Sequence, residues 1–90
     1  MIKTTIKILN KLGLHARPAG MLAHTAAAFK SDIRITNQEG MEVNAKSIMG
    51  LMTLAAGKNS FIEICADGPD EEKALGSIEK LIESRFDEEE

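Results

Sequence analysis

The 90-residue chain holds two histidines, His15 and His24, and the first stands in a setting suited to phosphoryl chemistry. It lies in Gly13-Leu14-His15-Ala16-Arg17-Pro18-Ala19, and the apolar spacing that follows predicts a helix starting near His15 and Ala16. A residue at a helix start sits beside backbone N–H groups with no intrahelical acceptor, which form a ready anion site. The positive end of the helix dipole disfavours imidazolium, so the ring is expected as a neutral nucleophile at cell pH. A phosphoryl group on it would face the N–H groups of Ala16 and Arg17. The Arg17 guanidinium would add a planar, permanently charged fork that matches phosphate oxygens. Gly13 would relax the backbone so that the histidine is presented outward. The plain alternative is an ordinary helix-start histidine near a surface cation, and physics alone reaches only an anion or phosphoryl site. His24, nine residues on, is not at a metal-ligand spacing on one helix face, and Cys65 is the sole cysteine. No metal and no cofactor are therefore expected.

Charge supports an anionic partner. Lys3, Lys7, Lys11, Arg17 and Lys30 meet no acidic residue before Asp32, so the N-terminal third carries +5. The overall charge of −3 owes much to the ending Asp87-Glu88-Glu89-Glu90; without it, eleven basic against ten acidic residues leave +1. Aromatic residues make up 3% of the chain, with no Trp or Tyr, so nucleic acid is disfavoured, since bases need stacking platforms. An acidic protein surface or a phosphate fits the local field better.

The elements that must position this segment follow from periodicity. Ile2, Thr4, Ile6 and Ile8 alternate with Lys3, Thr5 and Lys7, the pattern of a half-buried strand. Ala19, Leu22, Ala26 and Phe29 give the first helix its apolar stripe, and Pro18 is compatible with a first turn. Ile33 to Thr36 and Met41 to Ala45, joined by Asn37-Gln38-Glu39-Gly40, predict a hairpin. Ser47 precedes Ile48, Met49, Leu51, Met52 and Leu54 as the N-cap of a short helix, which Lys58-Asn59 ends, with Gly57 or Asn59 left-handed. Ser60 to Ala66 reads as the last strand. Asp67-Gly68-Pro69-Asp70 opens a final helix with Glu71 and Glu72 in its first turn and a stripe of Ala74, Leu75, Ile78, Leu81 and Ile82.

Ninety residues fit one domain, residues 1–90, with 87–90 as an acidic tail. The element order predicts an α+β two-layer sandwich, an antiparallel-rich sheet with helices on one face. No apolar run reaches the roughly 18 residues of a membrane span, and the start shows no signal-peptide pattern. A cytoplasmic protein with no membrane contact is expected.

Gly13-Leu14-His15-Ala16-Arg17-Pro18-Ala19 followed by Lys46-Ser47-Ile48-Met49-Gly50-Leu51-Met52 closely resembles the family of histidine-containing phosphocarriers, HPr, of the bacterial phosphotransferase system, over essentially the whole chain. The resemblance implies an open-faced sandwich of a four-stranded antiparallel sheet and three helices. It implies that His15 takes a phosphoryl group on Nδ1 from Enzyme I and passes it to an Enzyme IIA protein, with Arg17 stabilising the phosphate. Such a chain is a transfer intermediate rather than an independent enzyme, and it is expected to be monomeric. Ser47 matches the serine that HPr kinase/phosphorylase modifies in regulated members.

Gly20, Met21 and His24 share a face of the first helix with Arg17, turned from the core stripe, and form a candidate partner surface. Ile48, Met49 and Met52 match a family patch of exposed apolar residues beside the histidine, and methionine suits a surface that accepts several partners; Leu51 and Leu54 are expected in the core. Branch signals split. Asn10-Lys11-Leu12-Gly13, Gln38-Glu39-Gly40 and the Phe86 to Glu90 ending look like the nitrogen-branch carrier, NPr, whereas the Lys46 to Met52 run looks like the kinase-regulated carrier. The rivals are a purely regulatory module that binds a kinase or transcription factor, and a small RNA-binding domain.

Overall fold

The computed structural model describes residues 1–54 and 56–87; residues 88–90 of the expected tail lie outside them. The element order is β1 (Ile2–Lys7), α1 (Ala16–Ala27), β2 (Asp32–Thr36), β3 (Glu42–Asn44), α2 (Ile48–Thr53), β4 (Phe61–Asp67) and α3 (Glu71–Glu83), followed by a single turn at Arg85–Asp87. The four strands form one antiparallel sheet in the order β1-β4-β2-β3. Three helices complete the α+β sandwich expected from the sequence.

Strand alternation sorts the two faces of the sheet. On β4, Ile62, Ile64 and Ala66 are buried while Phe61, Glu63 and Asp67 are exposed. The apolar set meets Ile33 and Ile35 of β2 in one core with Leu22 and Ala26 of α1, Leu51 of α2, and Ala74, Ile78 and Ile82 of α3. Lacking Trp and Tyr, the core is aliphatic apart from Phe86, the largest fully buried side chain. Each buried Leu, Ile or Phe contributes roughly 1.5–3 kcal/mol relative to exposure.

Element ends differ from the periodic reading where side chains intercept the backbone. Helix α1 stops at Ala27, two residues short of Phe29: the Phe29 N–H donates to the Ala26 carbonyl at 3.1 Å, tightening the last turn, and Lys46 Nζ donates to the Phe29 carbonyl at 2.8 Å. Strand β3 is shorter than expected, because the Asn37 side chain accepts from the Glu39 and Met41 N–H groups and folds the loop on itself. Helix α2 ends at Thr53 and not near Lys58, and Asn37 Nδ2 donates to the carbonyl of its C-cap, Leu54, at 3.2 Å. Of the two candidates for the left-handed position, Asn59 takes it, with φ of 71°.

Candidate functional site

His15 is the N-cap of α1, with extended backbone (φ −78°, ψ −174°) and no side-chain capping hydrogen bond. Its carbonyl accepts from the Ala19 N–H at 2.9 Å, the first bond of the helix. The approach is set by Gly13, which has φ of 63°; a Cβ there would overlap the Ala56 carbonyl oxygen. That same oxygen accepts from the Leu14 N–H at 2.9 Å, and Asn10 Nδ2 donates to the Gly13 carbonyl at 2.8 Å. Glycine is therefore required for close passage against the Ala56 segment and not merely for flexibility. Leu14 is buried and anchors the loop, leaving the His15 side chain half-buried at its rim.

Electrostatics at this end of α1 are one-sided. Its first turn contains no acidic residue. Pro18 is buried in the third helical position and has no N–H, so Ala16 and Arg17 supply the donors that helix geometry leaves without an intrahelical acceptor. Arg17 is exposed, and its Nη1 donates to the Phe86 carbonyl at 3.1 Å. The sequence reading missed this contact, and no local signal marked it, since 69 positions separate the partners. The carboxylates held below their ordinary range, Asp70 and Glu71, lie at the start of α3 instead.

Helix α2 packs against α1. Ser47 is its N-cap, and the Gly50 N–H donates to Ser47 Oγ at 3.0 Å. Leu51 and Leu54 are buried as expected, whereas Ile48, Met49 and Met52 are exposed, Met49 at 77%. Leu12, passed over in the sequence, is 68% exposed in the loop before His15. On α1 the outward face is less uniform than the spacing suggested. His24 is exposed and Gly20 half-buried with open space around it, but Met21 packs partly against the core. Its long side chain folds down onto the apolar stripe instead of standing clear.

A family model for the phosphotransferase-system HPr component phosphorylation site matches residues 2–84. The phosphocarrier protein HPr of Neisseria meningitidis is 48% identical over 88 residues, 98% of each chain. The phosphocarrier protein NPr of Escherichia coli K12 is 42% identical over 87 residues, 97% of each. Among solved structures, HPr-C-His from Thermoanaerobacter tengcongensis superimposes with a TM-score of 0.94 at 46% identity, covering 100% of both chains. An HPr dimer from the same organism gives 0.78 at 45% identity, covering 98% of this chain and 100% of its own.

Proposed function

The chain belongs to the HPr family of phosphocarrier proteins, and from that premise we propose that it accepts a phosphoryl group from Enzyme I on His15 and passes it to Enzyme IIA proteins. The observation that carries this reading is the start of α1: His15 as N-cap, no acid in the first turn, and Arg17 two residues on. The Nδ1 lone pair attacks the phosphorus of phosphorylated Enzyme I. As the new P–N bond forms, the bond to the donor breaks and its electron pair leaves with the donor. The imidazole keeps its proton on Nε2, and the Ala16 and Arg17 N–H groups with the guanidinium meet the charge on the phosphoryl oxygens. Attack by an acceptor on the same phosphorus reverses the sequence.

Every group in this scheme comes from one chain, so the working unit is a monomer, in the cytoplasm with its partners. Gly20, His24, Ile48, Met49 and Met52, with part of Met21, form the partner surface. Phosphorylation of Ser47 by an HPr kinase/phosphorylase would place about two negative charges beside it. A nitrogen-branch carrier performs the same chemistry for a different acceptor, and the likeness to NPr supports that second reading. Incubation with phosphoenolpyruvate and the cognate Enzyme I, followed by intact mass and acid-lability measurements, tests the core of the proposal. One acid-labile phosphoryl group, absent from His15→Ala, is expected; no label, or label on His24, would overturn it. Comparing transfer rates to sugar-permease and nitrogen-regulatory IIA proteins separates the branches.

A further inference from the structure

The turn that holds Arg17 has an uncommon backbone. Arg85, Phe86 and Asp87 have φ of 58°, 55° and 58°, in the left-handed region that is sterically disfavoured for residues with a Cβ. Three such residues in succession keep their shape only where the surroundings over-determine it. The Phe86 side chain supplies that constraint. It is completely buried and belongs to the same cluster as Leu22, Ile78 and Ile82, although it stands at the end of the described chain, where ends ordinarily fray. The ring fixes the turn, and the turn aims the Phe86 carbonyl at Arg17 Nη1, 3.1 Å away.

We propose that Phe86 is a positioning residue for phosphoryl transfer, its buried ring locking the C-terminal turn so that its carbonyl holds the Arg17 guanidinium in place before the phosphoryl group arrives. The proposal rests on the reading of His15 and Arg17 as the phosphoryl site. A guanidinium carries five N–H donors, so one committed to a carbonyl leaves the fork competent for phosphate. A cation already in position need not be gathered from solvent as charge shifts between donor and acceptor. Phe86 thus acts through Arg17 and touches neither the phosphoryl group nor His15 itself.

The test uses the full chain with Phe86→Leu and Phe86→Ala, each alone and combined with Arg17→Ala. A first readout needs no transfer: the heteronuclear NOE of the Arg17 Nε–Hε group. It should report a rigid side chain in the unsubstituted protein and in Phe86→Leu, and a mobile one in Phe86→Ala. With the variants as Enzyme I acceptors, Phe86→Ala should lower kcat about tenfold while KM stays within about twofold, and Phe86→Leu should restore most of the rate. In the Arg17→Ala background, Phe86→Ala should cause no further loss. An Arg17 side chain as rigid in Phe86→Ala as in the unsubstituted protein would overturn the proposal, as would an equal further loss without Arg17, which marks a purely structural role. Should Phe86→Ala not fold, Phe86→Leu and Phe86→Val take its place, and no graded rise in Arg17 mobility counts against the proposal. If the unsubstituted protein takes no phosphoryl group from active Enzyme I, the functional reading falls and Arg17 rigidity alone decides the role of Phe86.

Discussion

Helices α1 and α3 both begin on a residue that makes no side-chain cap to its own helix, yet they treat the positive ends of their dipoles in opposite ways. At α3 the cap is Asp70, whose carboxylate accepts from the Lys30 and Ser31 N–H groups at 2.9 Å each and from the Ser31 hydroxyl. Glu71 accepts from the Gly68 N–H at 3.1 Å and pairs with the N-terminal ammonium at 2.9 Å. Negative charge is supplied from within, and it staples the α1–β2 turn and the start of β1 to α3. At α1 the cap is His15, the first turn has no acid, and the nearby cation is Arg17. One helix start is closed on itself and serves the fold; the other suits an anion that must come from a partner. Helix α2 stands between them, capped by the neutral Ser47 hydroxyl.

Substitutions at α1 should therefore damage transfer and spare the fold. The largest effect is expected for His15→Ala, which should abolish phosphoryl acceptance while leaving the thermal midpoint within about 2 °C, since no side-chain cap is lost. Residual acid-labile label in that variant would break the contrast. Arg17→Ala should slow transfer by about 100-fold through loss of charge stabilisation. Its cost in stability should be only about 1 kcal/mol, for one hydrogen bond to the Phe86 carbonyl. Single-turnover kinetics beside urea unfolding separates the two quantities, and a stability loss without a rate loss would reassign Arg17 to the fold.

How much of this was legible before folding depended on the range of the signal. The β1 alternation, the α1 and α3 stripes, Ser47 as a cap and His15 with Arg17 are written in neighbouring residues, and they appear where the spacing put them. Phe86 was read only as part of an ending, because nothing adjacent to it shows that its ring closes the core against α3 or that its carbonyl meets a residue 69 positions earlier. Asp70 was read as a dipole partner for its own helix, while its hydrogen bonds go across the fold to Lys30 and Ser31. The early ends of α1 and α2 have the same origin, since Lys46 and Asn37 reach their carbonyls from other elements.

Adding charge at α2 tests whether a neutral cap can be converted into a closed one. Phosphoserine at Ser47 should lower the rate of His15 phosphorylation by about tenfold, because like charges across the interface would replace attraction to an acidic partner. Ser47→Asp carries less charge, so its defect should be smaller and should shrink as salt screens the field. Ser47→Ala should leave transfer near normal while costing about 1 kcal/mol of stability through loss of the cap to Gly50. Equal transfer rates in all forms, at low and high salt, would remove the electrostatic mechanism and leave Ser47 as a cap alone.

The smallest effect on transfer, and the clearest on acid stability, is expected at Asp70. The Ser31 hydroxyl, followed by the Lys30 N–H, holds its carboxylate at about 2, against an ordinary value of 3.8. The native state thus gives up this proton more readily than the unfolded chain. Its stabilising contribution is complete above the unfolded value and is lost as the pH falls through that value toward about 2. Asp70→Asn should accordingly be less stable at neutral pH and lose less stability between about pH 5 and pH 2. Glu71 is also held low, by the N-terminal ammonium and then the Gly68 N–H, so part of the acid slope should survive. Phosphoryl acceptance at His15 should stay within about twofold, because the carboxylate serves α3 and the turn before β2, not the start of α1. Urea midpoints across that pH range, measured beside transfer rates, decide the matter. An unchanged acid slope would show that the staple contributes nothing, and a large transfer defect would show that the two helix starts are coupled.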